Sequence, residues 1–132
     1  PEPTKVQTKV GDILDDEVPD KFTISDKMWT SAIRRKENNR KRGYGFGFSL
    51  FDKESEYTST ISARYYKDGS EIWIDQEAKN PRMLTPNEAR KLQGFPEGFQ
   101  IPVSNLQAYK QFGNSVSVPV IRAIAERIVK LL

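Results

Sequence analysis

Between Leu84 and Gly94 the chain specifies both ends of one short helix. Thr85 stands at the N-cap, Pro86 occupies the first helical position, where its missing N–H costs nothing, and Glu88 completes a capping box. Leu84 and Ala89 are spaced as a hydrophobic staple, and Gly94 supplies the stop. Taken on these residues alone, the helix is a structural device.

Two further patterns set the fold class. Ser25 with Asp26 opens a second helix on which Met28, Trp29, Ala32 and Ile33 form apolar i,i+4 pairs, and Gly43 ends it. From Tyr44 the period changes: Tyr44, Phe46 and Phe48 alternate with Gly45, Gly47 and Ser49, which predicts a strand with one aromatic face and one nearly bare face. Residues 57–66 and 71–75 flank Asp68-Gly69, which predicts a hairpin. On its first strand Ile61, Ala63 and Tyr65 share one face, and Thr60, Ser62, Arg64 and Tyr66 the polar one. A Pro-containing loop then leads through Asn114 to Ser117 into a last helix, with Pro119 near its start and Ile121, Ile124, Ala125, Ile128 and Leu132 on one face. The expected fold is α+β, a small twisted antiparallel β domain with flanking helices.

Charge is unevenly spread. Residues 1–20 carry Glu2, Asp12, Asp15, Asp16, Glu17 and Asp20 against Lys5 and Lys9, and read as a linker or edge segment. The rest is correspondingly basic, with its densest cluster at Arg34, Arg35, Lys36, Arg40, Lys41 and Arg42. Such a run is either a solvated helix face or a footprint for phosphates. The chain has no cysteine and no histidine, so it offers no thiol nucleophile and lacks the usual base at neutral pH. No metal site is expected. No apolar run approaches the roughly 18 residues of a membrane span, and no targeting pattern opens the chain.

The capped helix is part of a longer string, Arg82-Met83-Leu84-Thr85-Pro86-Asn87-Glu88-Ala89-Arg90-Lys91-Leu92-Gln93-Gly94-Phe95-Pro96, followed by Gln107-Ala108-Tyr109-Lys110-Gln111-Phe112-Gly113-Asn114-Ser115-Val116. These closely resemble the ninth and tenth conserved blocks of the DNA cytosine-5 methyltransferases. Residues 60–72, preceded by Gly43-Tyr44-Gly45-Phe46-Gly47, resemble the recognition domain of the Dcm-type bacterial subset, whose members methylate short sites containing CC. The resemblance runs from about residue 22 to the C-terminus.

It implies a division of labour. Thr85, Glu88 and Arg90 become scaffolding. Asn114, Ser115 and Val116 line the pocket for the amino-acid part of S-adenosylmethionine. Thr60, Ser62, Arg64, Tyr65, Tyr66 and Lys67, with Arg40 and Arg42, meet double-stranded DNA, where hydroxyls and cations position a backbone or read base edges. The family reaction resembles a conjugate addition: a cysteine thiolate attacks C6 of a cytosine extruded from the duplex, a glutamate assists at N3, and C5 takes the methyl group. This chain has no cysteine, so no catalytic residue is assigned and the chain alone is expected to be inactive. The expected division is a linker over residues 1–20, a target-recognition domain over 21–96 and a segment of the catalytic domain over 97–132. The last helix would belong to an absent Rossmann-like domain. Without that domain, the helix is expected to fold back over its own reading domain or to form a homodimer with a second copy. The alternatives are a non-catalytic DNA-binding module and one subunit of a split enzyme. The expected setting is the bacterial cytoplasm.

Overall fold

Helices in this chain begin where a hydroxyl can satisfy a free backbone N–H. The structure, a computed structural model, describes residues 7–132, so Glu2 and Lys5 of the acidic segment lie outside the described residues. Helix α1 spans Asp26–Lys41, and the Ser25 hydroxyl accepts from the Met28 N–H. Helix α2 spans Pro86–Leu92 with the complete capping box: Thr85 Oγ1 accepts from the Glu88 N–H at 3.1 Å, and the Glu88 carboxylate accepts from the Thr85 N–H at 2.8 Å. Helix α4 spans Val118–Leu131. Between them lies α3, Asn105–Asn114, where a Pro-containing loop is expected from the sequence. Its signals were Ser104, whose hydroxyl caps it, and the spacing of Ala108, Tyr109 and Phe112, which are buried.

Three two-residue strands, β1 (Leu50–Phe51), β2 (Trp73–Ile74) and β3 (Arg82–Met83), form one sheet in that order. The expected antiparallel hairpin is absent among the described residues. β2 pairs antiparallel with β3, but β1 pairs parallel with β2, Leu50 beside Trp73 and Phe51 beside Ile74. Parallel neighbours cannot be joined by a tight turn. Residues 52–72 therefore form a crossover and not a hairpin arm. Asp68-Gly69 does turn the chain, since Asp68 Oδ1 accepts from the Ser70 N–H and the Gly69 carbonyl accepts from the Ile72 N–H, both at 3.0 Å. The strand expected over residues 44–48 is also absent; regular pairing starts at Leu50.

β2 separates two apolar clusters because successive side chains point to opposite faces. Trp73 packs with Ile24 and Ala32 beneath α1, against Trp29 and Phe48. Ile72 and Ile74 face the other way, onto Ile61, Tyr65, Leu84, Ala89, Ala108, Tyr109 and Phe112. The alternation across residues 61–65 thus indicated which side chains are buried, although the backbone there is turn. Val10 joins the same cluster, and the 3-10 turn Val10–Ile13 is held by the Val10 and Gly11 N–H groups on the carbonyls of Ser55 and Lys53 at 2.7 and 3.0 Å.

The last helix does not fold back over the domain expected to read DNA. No residue of α4 is buried, and Ile121, Ile124, Ile128 and Leu132 are all exposed. Its start is clamped to the end of α2: the Val118 N–H donates to the Gln93 carbonyl at 2.9 Å, and a Cβ at Gly94 would overlap the Pro119 ring. Gly94 also holds φ +79°, so glycine is required there twice over.

Candidate functional site

The segment expected to read DNA is built from two successive turns. The Tyr65 N–H donates to the Ser62 carbonyl at 3.1 Å, and the Lys67 N–H donates to the Arg64 carbonyl at 3.0 Å. Ser62 is tied down by Glu71, whose Oε1 accepts from its hydroxyl at 2.8 Å and its N–H at 3.2 Å. Thr60, Ser62, Arg64 and Lys67 are exposed, while Tyr66 is half-buried with Lys110 Nζ 5.1 Å from its ring centroid. Arg64, Lys67, Arg40 and Arg42 make no ion pair among the described residues.

Tyr65 has to be removed from the expected DNA contacts. It is fully buried, its hydroxyl donating to the Ile72 carbonyl at 2.6 Å and accepting from the Leu84 N–H at 2.8 Å. Burial pushes its pKa well above that of an ordinary tyrosine. Its ring packs edge-on against Tyr109, whose hydroxyl donates to the Leu84 carbonyl. Tyr65 thus fastens the crossover, and Tyr109 fastens α3, to the α2 entry.

The expected cofactor turn joins two helices. Asn114 closes α3, Ser115 is its C-cap and Ser117 precedes α4. The Ser115 hydroxyl donates to the Phe112 carbonyl at 2.7 Å, which fixes the turn. The side chain of Asn114 is exposed and makes no hydrogen bond among the described residues, and Val116 is 58% exposed. An uncommitted amide beside an apolar side chain suits one wall of a site for a polar, zwitterionic group.

The segment expected to read DNA and the helix end that leads into the expected cofactor turn touch. Gly113 lies against the backbone of Ser62 and Ala63, so closely that a Cβ there would overlap the Ser62 carbonyl. A cleft of about 280 Å³ runs beside this contact, lined by Ser59 and Thr60 together with Ser115 and Ser117. The signal for this contact was a glycine inside a helical pattern, which points to close packing.

The basic half of α1 meets the same crossover from another side. Arg35 and Asn39 line a cavity of about 290 Å³ with Asp68, Ser70 and Trp73. All six cations from Arg34 to Arg42 are exposed.

Thr85, Glu88 and Arg90 are buried and act as fasteners. The Glu88 carboxylate takes a bidentate pair from Arg82 at 2.7 and 2.9 Å, and also accepts from the Asp15 N–H at 2.9 Å. Arg90 donates to the carbonyls of Phe95 and Pro96 at 2.9 and 2.8 Å. Asp15 accepts from Thr85 Oγ1, Asn87 and Lys91. Burial pushes its carboxyl up, but those three hydrogen bonds and the Lys91 charge outweigh it and hold its pKa below the usual value. Arg82 and Asp15 were not singled out from the sequence, because their partners come from other elements.

No group of three acidic or other metal-ligating side chains is gathered among the described residues, and no described helix is long and apolar enough to cross a membrane. The family described as C-5 cytosine-specific DNA methylase matches residues 1–130. The type II methyltransferase M.NlaX of Neisseria lactamica is 65% identical over 127 residues, covering 96% of this chain and 41% of that protein. The type II methyltransferase M1.ScrFI of Lactococcus lactis subsp. cremoris is 61% identical over 132 residues, covering the whole chain and 34% of that protein. This chain therefore spans only between a third and about two-fifths of the length of these curated relatives. Among solved structures, the S. pombe Dnmt2 methyltransferase shares the fold, with a TM-score of 0.76 at 15% identity over 93% of this chain and 42% of that one.

Proposed function

The chain belongs to the C-5 cytosine-specific DNA methylase family, and from that premise we propose that it is the DNA-reading and C-terminal portion of an enzyme that methylates cytosine at C5 in a short duplex site. The observation that supports this best is the cleft beside Gly113, which Thr60 and Ser115 both line. Methyl transfer to a base requires DNA and cofactor side by side.

In this reading Asn114, Ser115 and Val116 hold the amino-acid part of S-adenosylmethionine, the molecule that supplies the methyl group. Thr60 and Ser62 lie along the strand backbone, Arg64 and Lys67 reach phosphates or base edges, and Tyr66 lies beside them. Arg40 and Arg42 neutralise phosphates farther along the duplex. The chain contains no cysteine, so a thiolate acting on cytosine C6 comes from another part of such an enzyme. The apolar face of α4 is the natural place for that part to dock, because contiguous apolar surface of this kind rarely stays in water. A second copy of the chain is the alternative occupant. The enzyme would work on DNA in the bacterial cytoplasm.

Duplex DNA binding by the chain over a range of salt concentrations tests the reading. Arg40→Glu combined with Arg42→Glu should weaken binding and flatten its salt dependence by about two phosphate contacts, each contributing roughly 0.9 to the slope. Binding unchanged by the pair would make the cluster a solvated face.

A further inference from the structure

The loop after α1 carries two aromatic side chains that the core does not use. Tyr44 and Phe46 are 52% and 67% exposed, and their rings stack on each other at 5.2 Å between centroids and 14° between planes. The loop under them is anchored. Asn39 holds it at both ends, its carbonyl accepting from the Tyr44 N–H at 2.8 Å and its side-chain amide donating to the Phe46 carbonyl at 3.0 Å. Lys36 donates to the Phe48 carbonyl at 3.0 Å and lies 4.2 Å from the centre of the Phe48 ring, which is itself stacked on Trp73. The base of the loop therefore belongs to the fold, while its tip stands outside with the side-chain entropy of two rings already reduced.

The surroundings say what the tip is for. From Arg34 to Arg42 the adjoining helix end carries six cations against the single acid Glu37. A partner protein with an apolar pocket has no need of such a border, whereas a polyanion with flat apolar rings inside it matches both features. Around Gly45, between the two rings in sequence, a Cβ would meet nothing within 4 Å, so the space beside the stack is open.

We propose that the Tyr44–Phe46 pair is a stacking wedge that enters an opened base step of duplex DNA while Arg40, Lys41 and Arg42 hold the adjacent phosphates. This rests on the DNA-reading function proposed above. Aromatic wedges of this type unstack and kink a duplex, and their contribution, unlike that of the cations, does not depend on released counterions.

The two contributions separate experimentally. Phe46→Ala should weaken binding of a short duplex roughly tenfold, the scale of one base–aromatic stack, at every salt concentration and with the salt slope unchanged. Phe46→Trp should retain the affinity. A duplex carrying 2-aminopurine at successive positions should brighten at one step on binding the unsubstituted chain, and the rise should disappear with Phe46→Ala. Phe46 is exposed, so the substitution leaves the core intact. If the unsubstituted chain binds duplex and Phe46→Ala neither weakens it nor alters the fluorescence, the wedge is wrong and the DNA-reading function stands. If the unsubstituted chain binds vesicles of phosphatidylglycerol and phosphatidylcholine but no duplex, both are wrong.

Discussion

Gly113 of α3 and Ser62 of the crossover meet backbone to backbone, with no space for a side-chain carbon between them. The contact joins the turn that ends in Val116 to the segment that carries Arg64. Gly113→Ala forces one of the two to move, and overpacking of this kind typically costs about 1–3 kcal/mol. We expect that loss in denaturant unfolding, together with weaker DNA binding by the displaced crossover. A variant of unchanged stability and affinity would mean that the contact yields freely.

Arg82 and Glu88 form a buried bidentate pair, with Glu88 fully buried and also capping α2. Removing one partner strands the other. Glu88→Ala should therefore destabilise the chain by roughly 3–5 kcal/mol, and Arg82→Met together with Glu88→Leu should recover part of that loss. Chemical unfolding of the three variants measures both effects.

Asp15 predicts a pH dependence of definite sign. Its carboxyl titrates below the ordinary value of 3.8, so its hydrogen bonds stabilise the fold above that pH and are lost as pH falls through the lowered value. Asp15→Asn should be less stable than the parent by about 1–2 kcal/mol at neutral pH, from weakened hydrogen bonds to a charged acceptor. The difference should vanish in strong acid. A constant difference across the acid range would show that the charge is not what matters.

These fasteners mark the limit of what the sequence made legible. Local signals carried α1, α2 and α4, because Ser25, Thr85 with Glu88, and the periodic isoleucines each act within a few residues. The alternation of Ile61 and Tyr65 also identified buried side chains correctly. Pairing of the sheet was not legible, since whether Trp73 lies beside Leu50 or across a hairpin is decided by tertiary packing, and strands of two residues carry almost no pattern. Alternation put Tyr65 on the face of Ile61, and only the resemblance assigned it to DNA. Its polar group is satisfied by Leu84 and Ile72, which no local rule connects to it. The turn Asn114 to Val116 was singled out by motif, but the contact of the neighbouring Gly113 with Ser62 is a property of the fold.

The exposed stripe on α4 predicts association. Burying one Ile is worth roughly 1.5–3 kcal/mol, so Ile121, Ile124 and Ile128 together provide a strong incentive to find a partner. In sedimentation experiments the chain alone should self-associate with rising concentration, and Ile124→Glu should keep it monomeric without lowering its thermal stability. A parent chain that stays monomeric at high concentration would show that the stripe is tolerated in water.

Transfer of labelled methyl groups from S-adenosylmethionine to duplex DNA tests the central claim most directly. The chain alone should transfer none, because it contains no cysteine and its hydroxyls have no histidine to activate them. Joined to the catalytic part of a cytosine-5 methyltransferase, it should support transfer that Arg64→Ala lowers by roughly tenfold, the scale of one good base contact, while Arg34→Ala leaves most activity. Transfer by the chain alone would contradict its place as one portion of the enzyme, and equal activity of the two variants on the same DNA would contradict the reading role assigned to the crossover.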